Sequence, residues 1–154
     1  MQTRTQLILL AAAGSAALLA GAFAFQYIGL LAPCELCLWQ RWPHAAAVLI
    51  GLLGLAMPGR LMPVLGALAA LTTAAIAGFH VGVEYGWWQG LATCSGSSIT
   101  GVAVDDLLNP DLAMAAPIRC DAVPWSLWGI SMAGWNLLLS LGLAGVWLAA
   151  ARKS

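Results

Sequence analysis

Residues 33–43 read Pro33-Cys34-Glu35-Leu36-Cys37-Leu38-Trp39-Gln40-Arg41-Trp42-Pro43 and lie between two long apolar segments. This stretch holds two of the four cysteines of the chain. If it is helical, Cys34 and Cys37 share one face, and Arg41 follows Cys37 by one turn. A guanidinium beside a thiol favours the thiolate, which is the reactive form of cysteine. The stretch therefore predicts a reactive dithiol with a cation beside it, at the end of an apolar segment.

The composition is that of a membrane protein. The chain has 154 residues, of which 62% are hydrophobic and 8% are charged, whereas about 25% are charged in a typical soluble domain. So few charges could not cover the surface of a soluble fold. We therefore expect a single domain that spans a membrane several times and is surrounded by lipid. The net charge is zero, which gives no reason to expect a nucleic-acid partner.

The gaps between charged residues predict four spans. Four mostly apolar intervals without Asp, Glu, Lys or Arg are 30, 18, 23 and 30 residues long. Roughly 17–25 apolar residues are needed to cross the hydrocarbon core, so each interval is long enough, the second only just. We predict an all-α bundle of four transmembrane helices over residues 1–154, at about 6–28, 44–57, 63–85 and 125–150. The outer loops then cover about 29–43 and 86–124. A cleaved signal peptide is the alternative for the first segment.

The basic residues predict the orientation. With four spans both termini lie on one side, together with four of the six basic residues: Arg4, Arg60, Arg152 and Lys153. The positive-inside rule then places the termini in the cytoplasm. Both longer loops, and with them Cys34, Cys37, Cys94 and Cys120, lie on the outer side. In a bacterial inner membrane that side is oxidising, so disulfides are expected there.

The four cysteines allow three pairings. Their spacing favours Cys34 with Cys37 and Cys94 with Cys120, although topology alone does not choose. A disulfide within Cys-x-x-Cys closes a very small ring and stabilises little through loop entropy. A redox role is therefore better motivated than a structural one for this pair. A non-enzymatic membrane protein with two structural disulfides remains the alternative.

Metal binding and haem attachment are weaker interpretations of the same residues. Zinc sites usually show two close ligand pairs, and only one pair is close here, so we predict no metal. Leu38 rather than histidine follows Cys37, which disfavours covalent haem. His80 and Glu84 are one turn apart at the outer end of the third segment, and His80 is a candidate cofactor contact if it faces the bundle interior. Arg41 has the alternative role of an anchor at the membrane interface.

Several motifs together resemble the disulfide bond formation protein B (DsbB) family. The pattern Pro-Cys-Glu-Leu-Cys-x-x-Gln-Arg follows the first apolar segment, and Cys94 and Cys120 lie in the second outer loop. Three further stretches support the resemblance, at 80–84, 120–125 and 128–136. The resemblance covers essentially the whole chain, and the combination of motifs is far more specific than Cys-x-x-Cys alone.

This resemblance implies a function for each cysteine. Members of the family reoxidise a periplasmic thioredoxin-fold thiol oxidase (DsbA-like) and pass its electrons to membrane quinone, either ubiquinone or menaquinone. By position, Cys94 would be attacked by the partner, Cys120 would exchange with Cys34, and Cys37 would face the quinone. Arg41 would polarise the quinone and stabilise the thiolate. A similar enzyme that serves one dedicated partner is a further possibility.

Overall fold

The computed structural model describes residues 2–91 and 118–153. Within these ranges the chain forms four α-helices and one short β-hairpin. The helices are α1 Gln2–Tyr27, α2 Glu35–Ala56, α3 Leu61–Glu84 and α4 Met132–Arg152, and the hairpin strands are β1 Ser126–Leu127 and β2 Ile130–Ser131. Helices α1 and α3 each pack against both α2 and α4, which makes a four-helix bundle. The expected ranges 6–28 and 63–85 overlap α1 and α3.

The second helix begins earlier than the sequence suggested. Its expected start near residue 44 is wrong, because α2 begins at Glu35 and Cys34 is its N-cap. The Cys34 sulfur accepts a hydrogen bond from the backbone N–H of Cys37 at 3.3 Å, and the acidic Glu35 lies in the first turn, where the helix dipole favours negative charge. Pro43, expected in the first turn, lies inside α2 and leaves one helical hydrogen bond unmade. The early start places Cys37 and Arg41 in a rigid helix.

The fourth helix begins later than the sequence suggested. Its expected start near residue 125 is wrong, because Ser126 pairs with Ser131 and Leu127 with Ile130 in the antiparallel hairpin. The two turn residues between them have φ of 54° and 77°, and a type I′ turn requires positive φ at both positions. The Ser131 side chain then caps α4 by accepting the backbone N–H of Gly134.

Three helices are long and apolar enough to cross a membrane, namely Thr3–Tyr27, Leu61–Glu84 and Met132–Arg152. Helix α2 is not among them, since its first half carries polar and charged side chains: Glu35, Gln40, Arg41 and His44. The prediction of a helical chain with membrane-spanning segments is confirmed to this extent. The second span stays a prediction.

Glycines let the helices approach one another in the half of the bundle that lies away from the cysteines. The indole of Trp147 in α4 is fully buried. A Cβ at Gly66 in α3 would lie 2.5 Å from the nearest atom of this indole, and one at Gly51 in α2 would lie 2.5 Å from the Ala12 Cβ. Because these distances leave no room for a side chain, the glycines set the close packing of the bundle around Trp147.

Candidate redox site

The start of α2 brings the first cysteine pair into the protein interior. The Sγ atoms of Cys34 and Cys37 lie 2.8 Å apart, and both cysteines are free thiols. Cys34 is 5% exposed and belongs to a buried cluster with Leu36, Val83 and Cys120, while Cys37 packs against its edge. The two thiols therefore lie side by side, with Cys34 buried and Cys37 half-buried.

The second cysteine pair is described in part. Cys120 is fully buried and disulfide-bonded, and its backbone carbonyl lies 3.1 Å from His80 Nε2. Cys94 lies outside the described residues. The structure thus brings Cys120 into the same cluster as Cys34, although the two are far apart in the chain.

Cys34 carries the more acidic thiol of the pair. A hydrogen bond from the Cys37 thiol is the main cause that lowers the pKa of Cys34 to about 5, and a hydrogen bond from His80 adds to it against the effect of burial. The sequence interpretation placed the stabilised thiolate on Cys37, beside Arg41. The geometry favours Cys34 instead, because this residue caps the helix and receives both the N–H and the thiol of Cys37.

His80 faces the dithiol from α3. Its Nε2 lies 3.7 Å from Cys34 Sγ and 3.9 Å from a carboxylate oxygen of Glu84. The expected proximity of His80 and Glu84 within one turn is therefore present. Ser131, the N-cap of α4, donates its hydroxyl to the same carboxylate. These contacts join the C-terminal end of α3 to the N-terminal end of α4 beside the cysteines.

A network of buried polar side chains extends from His80 into the bundle. Gln40 contacts His80 Nδ1 at 3.1 Å and accepts a hydrogen bond from Asn136 Nδ2 at 2.6 Å. Asn136 Oδ1 in turn lies 2.9 Å from His44 Nε2. Thr73 donates its hydroxyl to the Gln40 backbone carbonyl at 3.2 Å. Helices α2, α3 and α4 are thus held together by hydrogen bonds at the level just below the dithiol.

A cavity of about 370 Å³ opens beside the dithiol, between α1, α2, α4 and the segment that leads into the hairpin. Most of its wall is apolar, and the Phe25 and Trp125 rings, with centroids 4.9 Å apart, form part of it. Cys37, Arg41 and His80 also line the cavity. An apolar wall with a few convergent polar groups is typical of a small-molecule site.

The guanidinium of Arg41 is directed at α1. It donates to the Gln26 side-chain oxygen at 2.6 Å and to the Ala22 carbonyl at 3.4 Å, and it lies 4.8 Å from the centroid of the Phe23 ring. Its Nε is buried and has no hydrogen-bond partner among the described residues. The predicted one-turn spacing from Cys37 holds in α2, and both residues line the cavity, but the hydrogen bonds of Arg41 go to α1 rather than to the thiol.

Comparison with known proteins identifies the family. The profile of the family "Disulfide bond formation protein DsbB" matches residues 4–150. The chain belongs to the DsbB family. A disulfide bond formation protein B from Dechloromonas aromatica is 33% identical over 142 residues, which cover 84% of this chain and 81% of that protein.

Two other relatives carry the same name. The one from Methylococcus capsulatus is 34% identical over 136 residues, which cover 83% of this chain and 82% of that protein. The one from Azoarcus sp. is 31% identical over an alignment of 167 positions, and the alignment covers 99% of this chain and 96% of that protein. No solved structure gives a significant match. The predicted resemblance is confirmed, and this DsbB-family chain is an integral membrane disulfide oxidoreductase of disulfide bond formation.

Sequence reasoning missed the polar residues of the DsbB-family chain that surround its cysteines. Gln40, His44 and Asn136 were not singled out as site residues, yet all three line the cavity or the network below the dithiol. One signal was present, because Asn136 is a lone amide in an apolar helix, and a polar residue inside a membrane segment is a functional candidate by default.

A metal gains no support from the site. The ligand atoms of Cys34, Cys37 and His80 lie within 4.8 Å of one another. The nitrogen of His80 that faces the thiols also faces the Cys120 carbonyl at 3.1 Å, and only an N–H can make that contact favourably. This nitrogen therefore has no free lone pair for a metal ion.

Proposed function

We propose that the protein is a thiol:quinone oxidoreductase of a bacterial inner membrane. It reoxidises a periplasmic DsbA-like thioredoxin-fold oxidase and passes the electrons to ubiquinone or menaquinone. One observation carries the proposal: the Cys34–Cys37 pair lies between disulfide-bonded Cys120 on one side and an apolar cavity on the other. Such a pair is placed to receive electrons from one side and to release them on the other.

The four cysteines transfer the electrons by thiol–disulfide exchange. The two thiols of the partner reduce a disulfide between Cys94 and Cys120 and become a disulfide themselves, with Cys94 as the residue attacked. Cys94 and Cys120 then reduce a disulfide between Cys34 and Cys37, with Cys120 exchanging at Cys34. Two electrons and two protons now reside on Cys34 and Cys37 and must leave the protein.

An external acceptor is required for this last step. The DsbA couple lies at about −120 mV, while structural disulfides lie below about −300 mV, a difference of roughly 8 kcal/mol for two electrons. An ordinary disulfide therefore cannot reoxidise such a partner, and a more strongly oxidising acceptor is needed. A quinone, when bound, accepts two electrons and two protons. Cys37, Arg41 and His80 would hold it, because they contribute polar groups to the apolar cavity. The buried, unpartnered Nε of Arg41 is consistent with a polar ligand at this wall.

The membrane topology forms part of the proposal. Helix α2 crosses the membrane as well, which raises the number of spans from three to four. Both termini are cytoplasmic, and the cysteines face the periplasm. We expect a membrane-impermeant thiol reagent to label the native cysteines of reduced spheroplasts, and to leave a cysteine introduced by Arg60→Cys in a cysteine-free background unlabelled until the membrane is permeabilised. The reversed pattern contradicts the topology.

The decisive experiment measures turnover. The purified protein is mixed with an excess of a reduced DsbA-like protein, with and without a short-chain ubiquinone, and free thiols are counted over time. We expect oxidation to stop after about one stoichiometric round without quinone and to continue with it. If quinone does not extend the reaction beyond that round for any DsbA-like partner, the protein is not a quinone-linked oxidase and the alternative of structural disulfides gains support.

A further inference from the structure

Gln40 is held in one orientation by the main chain. It is 6% exposed and lies one turn after Leu36 in α2. Its Nε2 is 3.1 Å from the Leu36 carbonyl oxygen and 3.1 Å from His80 Nδ1. A carbonyl oxygen can only accept, so the amide must turn its NH₂ group toward Leu36 and its oxygen toward Asn136. Asn136 Nδ2 donates to that oxygen at 2.6 Å.

The orientation of Gln40 determines which nitrogen of His80 carries the hydrogen. One N–H of Gln40 goes to Leu36, and the other points at His80 Nδ1, which must therefore accept. In neutral imidazole the hydrogen then lies on Nε2. This nitrogen is 3.1 Å from the Cys120 carbonyl oxygen and 3.7 Å from Cys34 Sγ. The other tautomer would bring two donors together at Gln40 and a lone pair against both the carbonyl and the sulfur.

We propose that Gln40 is a positioning residue of the redox site, which holds His80 as an Nε2–H donor toward the Cys34 sulfur and the Cys120 backbone. Gln40 acts through His80, because its described hydrogen bonds reach neither cysteine. The inference rests on the proposed function only for the purpose of this arrangement. That purpose is to keep Cys34 ionised next to Cys120, with which it exchanges. The hydrogen bonds themselves do not depend on quinone or partner.

The ionisation of Cys34 reports on this arrangement. Among the described residues, the titratable groups that face Cys34 are Cys37 from α2 and His80 and Glu84 from α3. Arg119 and Asp121, which flank Cys120, form an ion pair with each other; Arg119 is exposed and Asp121 is half-buried. Below its pKa of about 5, Cys34 is mainly the thiol, and above it mainly the thiolate. A weaker hydrogen bond from His80 must therefore shift the onset of alkylation to higher pH.

The test uses the reduced, purified chain without quinone or partner. Gln40→Met keeps the length of the side chain and removes the amide. We expect it to raise the pKa of Cys34 by about one unit, so that below the midpoint the thiolate fraction, and with it the alkylation rate, falls about tenfold. The rate is followed against pH by mass spectrometry that resolves Cys34 from Cys37. Gln26→Met is the matched control, because Gln26 contacts Arg41 and not His80, and its profile should stay unchanged.

A His80→Phe background distinguishes a positioning role of Gln40 from a role in packing alone. His80→Phe should itself raise the pKa of Cys34, and adding Gln40→Met to it should cause no further shift, because the effect passes through His80. A normal profile in folded Gln40→Met, or an equal shift with and without His80, overturns the proposal. A failure of the quinone assay would leave these profiles unchanged, so the two hypotheses fail independently.

The unaltered chain provides a further measurement, in which a variant is needed only to assign the signal. Nitrogen NMR of the reduced protein with labelled histidine distinguishes the two neutral tautomers. Above neutral pH we expect His80, assigned by the signal lost in His80→Phe, to carry its hydrogen on Nε2. A signal from the Nδ1–H tautomer, or from rapid exchange between the two, contradicts the assigned role of Gln40.

Discussion

In a Cys37→Ser variant, a disulfide between Cys34 and Cys120 should accumulate and quinone-linked turnover should stop completely. Cys34 is buried in one cluster with Cys120, and His80 Nε2 lies between its sulfur and the Cys120 carbonyl. The Cys34 thiolate can attack the Cys120 sulfur of the existing disulfide, releasing the thiol of the other cysteine. With Cys37 absent, the first loop has no thiol that can break the new bond by attacking Cys34, so only the thiol released from the original disulfide can reverse the exchange. Peptide mapping of the unreduced protein by mass spectrometry measures the fraction of protein that carries the Cys34–Cys120 disulfide.

The matched control is Cys34→Ser. It also removes one thiol of the dithiol and should also stop turnover. Cys37 lines the cavity and lies at the edge of the buried cluster, so we expect little disulfide between Cys37 and Cys120 in this variant. If both variants trap Cys120 to the same extent, the two thiols have equivalent positions, and the division between an exchanging Cys34 and a cavity-facing Cys37 is wrong.

The contact between Cys34 and Cys120 could be anticipated from the sequence, but the position of the helix start that produces it could not. Spacing alone left three cysteine pairings open, and the exchange between these two residues came from the family resemblance. The contact depends on the start of α2. A cysteine is a weak hydrogen-bond acceptor and is not among the preferred N-cap residues, so the acidic Glu35 was only a weak local signal that the helix begins there. Pro43 pointed to a later start, and the packing of α2 against α1 and α3 prevailed over it.

The hydrogen-bond network was beyond the reach of sequence reasoning for a different reason. Gln40 contacts His80 across 40 residues and Asn136 across 96 residues of chain. Local spacing within α2 predicted which residues share a face, but it carries no information on which residues of α3 and α4 face them. The same limit explains Arg41, whose spacing from Cys37 was evident while its contacts with Gln26 and Phe23 on α1 depend on the packing of two helices.

The Arg41→Ala variant should lose most of its turnover at limiting quinone, and kcat/KM for quinone should fall about tenfold to hundredfold. A hydrogen bond to a charged group contributes about 1.5–3 kcal/mol, and each 1.4 kcal/mol corresponds to about a factor of ten. Arg41 supplies a positive charge at the cavity wall beside Cys37. The thiol exchange steps do not use this charge, so one stoichiometric round of partner oxidation should survive. Steady-state rates at varied quinone, compared with a single round without quinone, measure the two effects separately.

Two further variants distinguish the charge of Arg41 from its position. Arg41→Lys should recover part of the activity, because it restores the charge but not the planar fork that binds Gln26 and Ala22. Gln26→Met keeps the guanidinium and removes its 2.6 Å anchor on α1, so the apparent Michaelis constant for quinone should rise by only a few-fold. Normal turnover of Arg41→Ala at limiting quinone would reduce Arg41 to an interfacial anchor. An effect of Gln26→Met as large as that of Arg41→Ala would instead show that the wall between α1 and α2, rather than the charge, binds the quinone.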